Sequence, residues 1–173
     1  MNRIAYLYFI LLVCLIPSGI MAEEKCEPCS PGQQNQELIQ MYNLYRDAVN
    51  DARNTGYQCG SDPDYVDYGP LKTKPGNCAD WARVSWGALV TRTWTCWKVV
   101  KVRARKQFRF LHHNFVYIEP KCGGPRIYLD PWDSGRPDVY VGDAFPFGSG
   151  FLGWIHYPVS THNAGDSPRD PNK

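Results

Sequence analysis

Past residue 22 the sequence contains no long apolar run, so nothing there reads as a membrane span. It has little excess of either charge: 19 Lys and Arg stand against 17 Asp and Glu. Such a balance leaves no strong global field to draw the chain to nucleic acid or to an anionic membrane. No internal repeat is visible. One Cys-x-x-Cys pair occurs without a second at zinc spacing, which removes a zinc site. The acidic group Asp62, Asp64 and Asp67 lacks the full spacing of a calcium loop and reads as a solvated loop. No metal and no cofactor is implied.

The apolar run that does exist is at the start. Met1-Asn2-Arg3 carries one positive charge, Ile4 to Ile16 is almost wholly apolar, and Pro17-Ser18-Gly19 breaks it before Ala22. This is the layout of a secretory signal peptide over residues 1–22. An uncleaved anchor is the competing reading, because Ile4 to Ala22 nearly spans a bilayer. Pro17 and Gly19 end the apolar core too early for it. Leu11 to Cys14 hints at lipidation, against which the bulk of Val13 counts. The expectation is a secreted or periplasmic protein that has no membrane contact after cleavage. What remains is one domain, long enough to bury a core.

Export puts the remaining cysteines in an oxidising compartment, where thiols tend to pair. Six follow the leader: Cys26, Cys29, Cys59, Cys78, Cys96 and Cys122. Their connectivity cannot be read from spacing. Even parity argues that Cys78 is paired, and a Cys78 thiol would require a second cysteine that is also unpaired or that pairs between chains. Cys26-Glu-Pro-Cys29 has the form of a redox pair, but no strand leads into it, so a structural disulfide is expected.

Residues 23–34 read as an irregular lead-in. A folded domain over 35–160 follows, then a polar tail over 161–173. Asn35 to Arg53 repeats apolar residues at three- and four-residue steps, predicting an amphipathic helix. Gly56 to Gly76 reads as a long ordered loop. Asn77 to Val90 predicts a buried helix: Asn77 is a good N-cap, Asp80 lies at capping-box spacing, and apolar residues surround the helix. From Thr93 the period becomes two. Three strands are expected, in "TWTCWKVVKVRARKQFRF", "HHNFVYIEP" and "PRIYLDPW". Cys122-Gly-Gly-Pro125 supplies the turn of an antiparallel hairpin between the last two. The first strand carries six basic residues from Lys98 to Arg109. These read as one solvated side of a sheet, with a polyanion-binding face as the other reading. Ser134 onward is loop-like, with "GFLGWIHYPV" as one short last strand.

Three residues stand out in order. Cys78 opens the buried helix, His113 lies at the start of a strand, and Asp130 ends the next. An ordinary thiol titrates near ~8.5, so little of it is thiolate at neutral pH. A helix N-terminus, with roughly half a positive charge and open N–H groups, favours the thiolate. A nearby imidazole can take the proton and return it to a leaving amine. An acid on its far nitrogen fixes the tautomer. Helix-terminal N–H groups supply part of an oxyanion hole.

"GNCADWARVSWGALV", "HNFVYI" and "YLDPW" together resemble the papain-like and transglutaminase-like cysteine superfamily over roughly residues 76–132. The resemblance implies an α+β fold with N-terminal helices packed on an antiparallel sheet. It implies a Cys78 nucleophile, a His113 base and acid, and an Asp130 orienter. It also implies acyl transfer from a protein or peptide amide, with hydrolysis or transamidation as the outcome. Members commonly supply a further oxyanion donor, and Asn77 and Gln58 are the candidates here. His112 faces the other side of its strand from His113, and His156 is a more distant alternative base. The disulfide candidates are Cys26, Cys29, Cys59, Cys96 and Cys122. The competing function is a non-catalytic, disulfide-stapled secreted binding protein. Its groove would be lined by Trp81, Trp86, Trp94, Trp97, Trp132 and Trp154, which otherwise serve as core.

Overall fold

The computed structural model describes residues 26–59, 76–106, 112–142 and 154–170, apart from the side chains of 105–106 and 154–156. The expected leader, the Asp62–Asp64–Asp67 loop and Cys14 lie outside the described residues. Helix α1 spans Pro31–Asn54 and helix α2 spans Cys78–Val90. The strands are β1 Trp97–Lys106, β2 His112–Pro120, β3 Arg126–Leu129, β4 Val139–Gly142 and β5 Trp154–His162. They form one sheet in the order β4-β3-β2-β1-β5, antiparallel at each pairing. The fold is therefore α+β, with two helices packed on a five-stranded antiparallel sheet.

Helix α1 begins four residues before Asn35, the start read from the sequence. Ser30 accepts a hydrogen bond from the Gln33 N–H and Pro31 sits in the first turn, where its missing N–H costs nothing. The lead-in predicted for 23–34 is thus partly helix. Periodicity detects the buried face, and that face starts at Met41, continuing through Tyr45, Val49 and Ala52. The exposed first turns are held from outside. The Glu37 carboxylate accepts from the Thr95 and Cys96 N–H groups, and the Trp97 indole donates to the Gln34 carbonyl. A Cys29–Cys96 disulfide fastens the same corner, and Cys26–Cys122 ties the chain to the β2–β3 turn. Cys26 and Cys29 therefore serve two separate bridges, neither to each other. Cys59, a disulfide candidate from its export context, is instead an exposed thiol.

Both sides of the sheet carry buried layers in its central strands, β1 to β3. Toward the helices, Trp97, Val99, Val116, Ile118 and Leu129 meet Tyr45, Trp81 and Leu89. On the far side, Val100, Val102, Ala104, Phe115, Tyr117 and Tyr128 form a second layer. Each large side chain so buried contributes about 1.5–3 kcal/mol. Trp81, Trp86, Trp94 and Trp97 are core residues. The alternation in β1 thus corrects the expectation of one solvated basic face. Lys98 lies with the far layer and pairs with Glu119, 3.0 Å away, while Lys101 and Arg103 lie on the helix side.

The predicted hairpin is present: Val116 opposes Leu129, Tyr117 opposes Tyr128 and Ile118 opposes Ile127. Gly123 and Gly124 take positive φ in the turn, which other residues adopt only with strain. The region from Ser134 contains more strand than its composition suggested. β4 pairs with β3, and β5 is nine residues long, reaching His162. Pairing with β1 organises β5, whose sequence is interrupted by Pro158 opposite a bulge. Beyond it, the Gly165 N–H donates to the Trp94 carbonyl and the Arg169 N–H to the Val90 carbonyl. The first residues of the expected tail thus dock on the body.

Candidate active site

Cys78 is the first residue of α2. The start of this helix is built by its own sequence. The Asn77 side-chain oxygen accepts from the Asp80 N–H at 2.9 Å. Asp80 reaches back to the Gly76 N–H, also at 2.9 Å, and its other oxygen accepts from Arg83 at 2.7 Å. This is a capping box shifted one residue outward. Gly76 has φ +129, and a side chain there would stand 2.1 Å from the Gln58 carbonyl oxygen. Only glycine allows the chain before Cys78 to lie against Gln58. The Trp81 indole donates to that same carbonyl at 2.8 Å.

Cys78 is buried and belongs to neither disulfide. It stands where the positive end of the helix dipole favours a thiolate. The Asn114 amide donates toward its sulfur at 3.5 Å. Asn114 was not a candidate from the sequence. The clue available was its parity: even positions of β2 share the side of Val116 and Ile118, which face the helices.

His113 is the next residue back, and its ring shares the far side with Phe115, 5.9 Å between centroids. Its Nε2 is 2.6 Å from Asp130 Oδ2, and both residues are buried. A separation this short is typical of a charge-assisted hydrogen bond. The other Asp130 oxygen accepts from the Trp132 N–H at 3.3 Å. Trp132 lies 5.0 Å from the His113 ring and also packs against the helix-side core, so it borders both layers at this end of the sheet. Burial raises the Tyr45 hydroxyl pKa above the usual tyrosine range, and the Asp130 charge raises it further. Tyr45 donates to the Asp138 carbonyl, holding the segment after Asp130 against α1.

The structure thus joins His113 to Asp130 directly and joins Cys78 to the neighbouring strand residue, Asn114. His112 is half-buried on the Asn114 side of β2. His156 lies on β5 opposite Ala104, with its side chain outside those described. Of the oxyanion candidates, Asn77 uses its oxygen as a cap, and Gln58 sits beside the helix start through its backbone. Among the described residues no three His, Cys, Asp or Glu side chains cluster as a metal site would require. Comparisons with protein-family models, with curated proteins and with solved structures find no match to this chain.

Proposed function

We propose that this chain is an exported thiol acyl-transfer enzyme of the papain-like or transglutaminase-like kind, acting on protein or peptide amides. One observation carries the reading. His113 of β2 is buried 2.6 Å from Asp130, which follows β3, and the next residue of β2, Asn114, donates toward a helix-terminal thiol.

The chemistry follows from these positions. In this mechanism the thiol proton goes to Nδ1, the ring nitrogen not engaged by Asp130. His113 lies on the Phe115 side of β2 and Cys78 on the Asn114 side, so the transfer runs around the start of the strand. The Cys78 thiolate attacks the amide carbon, and the carbonyl oxygen becomes an oxyanion. N–H groups at the start of α2 and the Asn114 amide are the donors suited to that charge. The imidazolium returns its proton to the leaving amine, and a thioester remains on Cys78. Water resolves it in a peptidase or amidase, and an amine resolves it in a transglutaminase. Asp130 keeps the ring in the required tautomer throughout. Two disulfides are in keeping with an oxidising compartment and support the exported location.

The test is iodoacetamide labelling without reductant at about pH 6, where an ordinary thiol is almost wholly protonated, followed by peptide mapping. Rapid alkylation of Cys78 that is lost in His113→Ala is the expected result. Loss in His112→Ala instead would move the base to the other face of β2. Recovery of Cys78 in a disulfide-linked peptide would leave a stapled, non-catalytic binding protein.

A further inference from the structure

The odd-numbered side chains of β1 begin under the helices as Trp97 and Val99 and then become Lys101 and Arg103. The change falls where α2 starts, since Asn114, beside Cys78, is the direct cross-strand partner of Arg103. Tyr157 of β5 is the partner of Arg103 on its other side. Directly opposed residues share a face, with Cβ atoms about 4.5–5.5 Å apart. A row therefore runs across three strands, from Tyr157 through Arg103 to Asn114 and the thiol. Its outer end is open, with Tyr157 49% exposed. Arg103 and Lys101 are half-buried.

This row is positive. Lys101 lies two residues from Arg103 on the same face. Two influences act on the Lys101 ammonium among the described residues: its own burial, then the Arg83 guanidinium. Both lower its pKa, and no carboxylate is among them. The acid at the helix start, Asp80, is already engaged by Arg83 and the Gly76 N–H. A partly dehydrated guanidinium with its fork of donors is the side chain best suited to a carboxylate. An extended chain advances about 3.3–3.6 Å per residue. One strand spacing from the thiol thus matches a group about one or two residues from the bond attacked.

We propose that Arg103, with Lys101 behind it and Tyr157 at the rim, forms an anion subsite. It selects amide substrates that carry a carboxylate beside the bond attacked. The proposal rests on Cys78 being the nucleophile, and it names the substrate class as acidic peptides.

Two near-isosteric reagents separate the two ideas. Iodoacetate carries a carboxylate and iodoacetamide does not. Their rates at Cys78 are measured by peptide mapping of the intact protein, with Cys59 in the same sample as the exposed comparison. The iodoacetate-to-iodoacetamide ratio should be higher at Cys78 than at Cys59, and it should fall with added salt. His113 in its charged form would raise the ratio too, so the variants decide. Arg103→Gln should lower the ratio by up to about fivefold, the range of a partly exposed ion pair. Arg103→Lys should restore part of it, and Lys101→Gln should give a smaller fall should Arg103→Gln not fold. A reactive Cys78 whose ratio is unchanged by Arg103→Gln and Lys101→Gln overturns the subsite and leaves the enzyme reading standing. A Cys78 that reacts with neither reagent overturns both.

Discussion

His113 Nε2 stands 2.6 Å from Asp130 Oδ2, and each side chain is nearly inaccessible to water. β2 and β3 are joined by a short turn, so the geometry of this pair is set by one hairpin. A buried acid whose partner is removed is left with an uncompensated charge or an unmet hydrogen bond. Asp130→Asn keeps the shape and loses the charge. It should lower stability by about 1–3 kcal/mol and slow Cys78 alkylation by roughly a hundredfold. Thermal melts and alkylation kinetics on the same sample check both. An unchanged alkylation rate would mean that the pair is structural only.

Gly76→Ala tests the approach of two backbones. Its φ of +129 disfavours any side chain, and the new Cβ would sit 2.1 Å from the Gln58 carbonyl oxygen. The strained backbone alone costs about 1–3 kcal/mol, and relief of the clash adds to it. Urea denaturation should show a clear drop in midpoint. Gly123→Ala also has positive φ but meets no atom within 4 Å, so it should cost less.

The two disulfides should open in sequence. Cys26 and Cys122 are exposed, whereas Cys96 is fully buried under α1. Reductant needs access to sulfur. Graded thiol treatment with mass mapping should release Cys26 and Cys122 first, with Cys29–Cys96 surviving until the protein unfolds. Removing the inner bridge as Cys29→Ser with Cys96→Ser should cost about 2–5 kcal/mol. Simultaneous release of all four thiols would contradict this order.

Glu119 sets an acid dependence. Partial burial is the largest influence on its carboxyl and pushes its pKa up. Hydrogen bonds and charges from Lys98 and Arg126 together outweigh burial and hold the pKa below the ordinary glutamate range. A depressed folded pKa contributes stability above the unfolded value of about 4.3. That contribution is lost as pH falls through the lower folded value. The wild type should therefore be more stable than Glu119→Gln at neutral pH, and the gap should narrow as pH falls below the unfolded value toward the lower folded one. Urea midpoints for both proteins across that range give the answer. A constant gap would remove the ion pairs as its cause.

What could be read without coordinates was local. Asn77 and Asp80 announce a helix start through side chains that meet backbone groups three or four residues away. Gly123 and Gly124 announce a turn, and a period of two assigns His113 and His112 to opposite faces. These features need only nearby chain. The first turns of α1 escaped because they bury little and are held by Thr95, Cys96 and Trp97. β4 and β5 escaped because pairing with β3 and β1, rather than their own composition, makes them strands. Choosing which cysteines join was beyond sequence as well. Cys29 meets Cys96 because Glu37 and Gln34 bring α1 to the head of β1, leaving Cys59 and Cys78 outside both bridges. The same holds for Asn114 and Arg103. Their residue types suggest nothing unusual; the packing of α2 on β2 sets Asn114 beside the thiol, and the register of β1 on β2 sets Arg103 across from Asn114. Local chemistry determined where a nucleophile could stand. Long-range packing decided what surrounds it, because the energy that aligns distant strands comes from a core that no single segment contains.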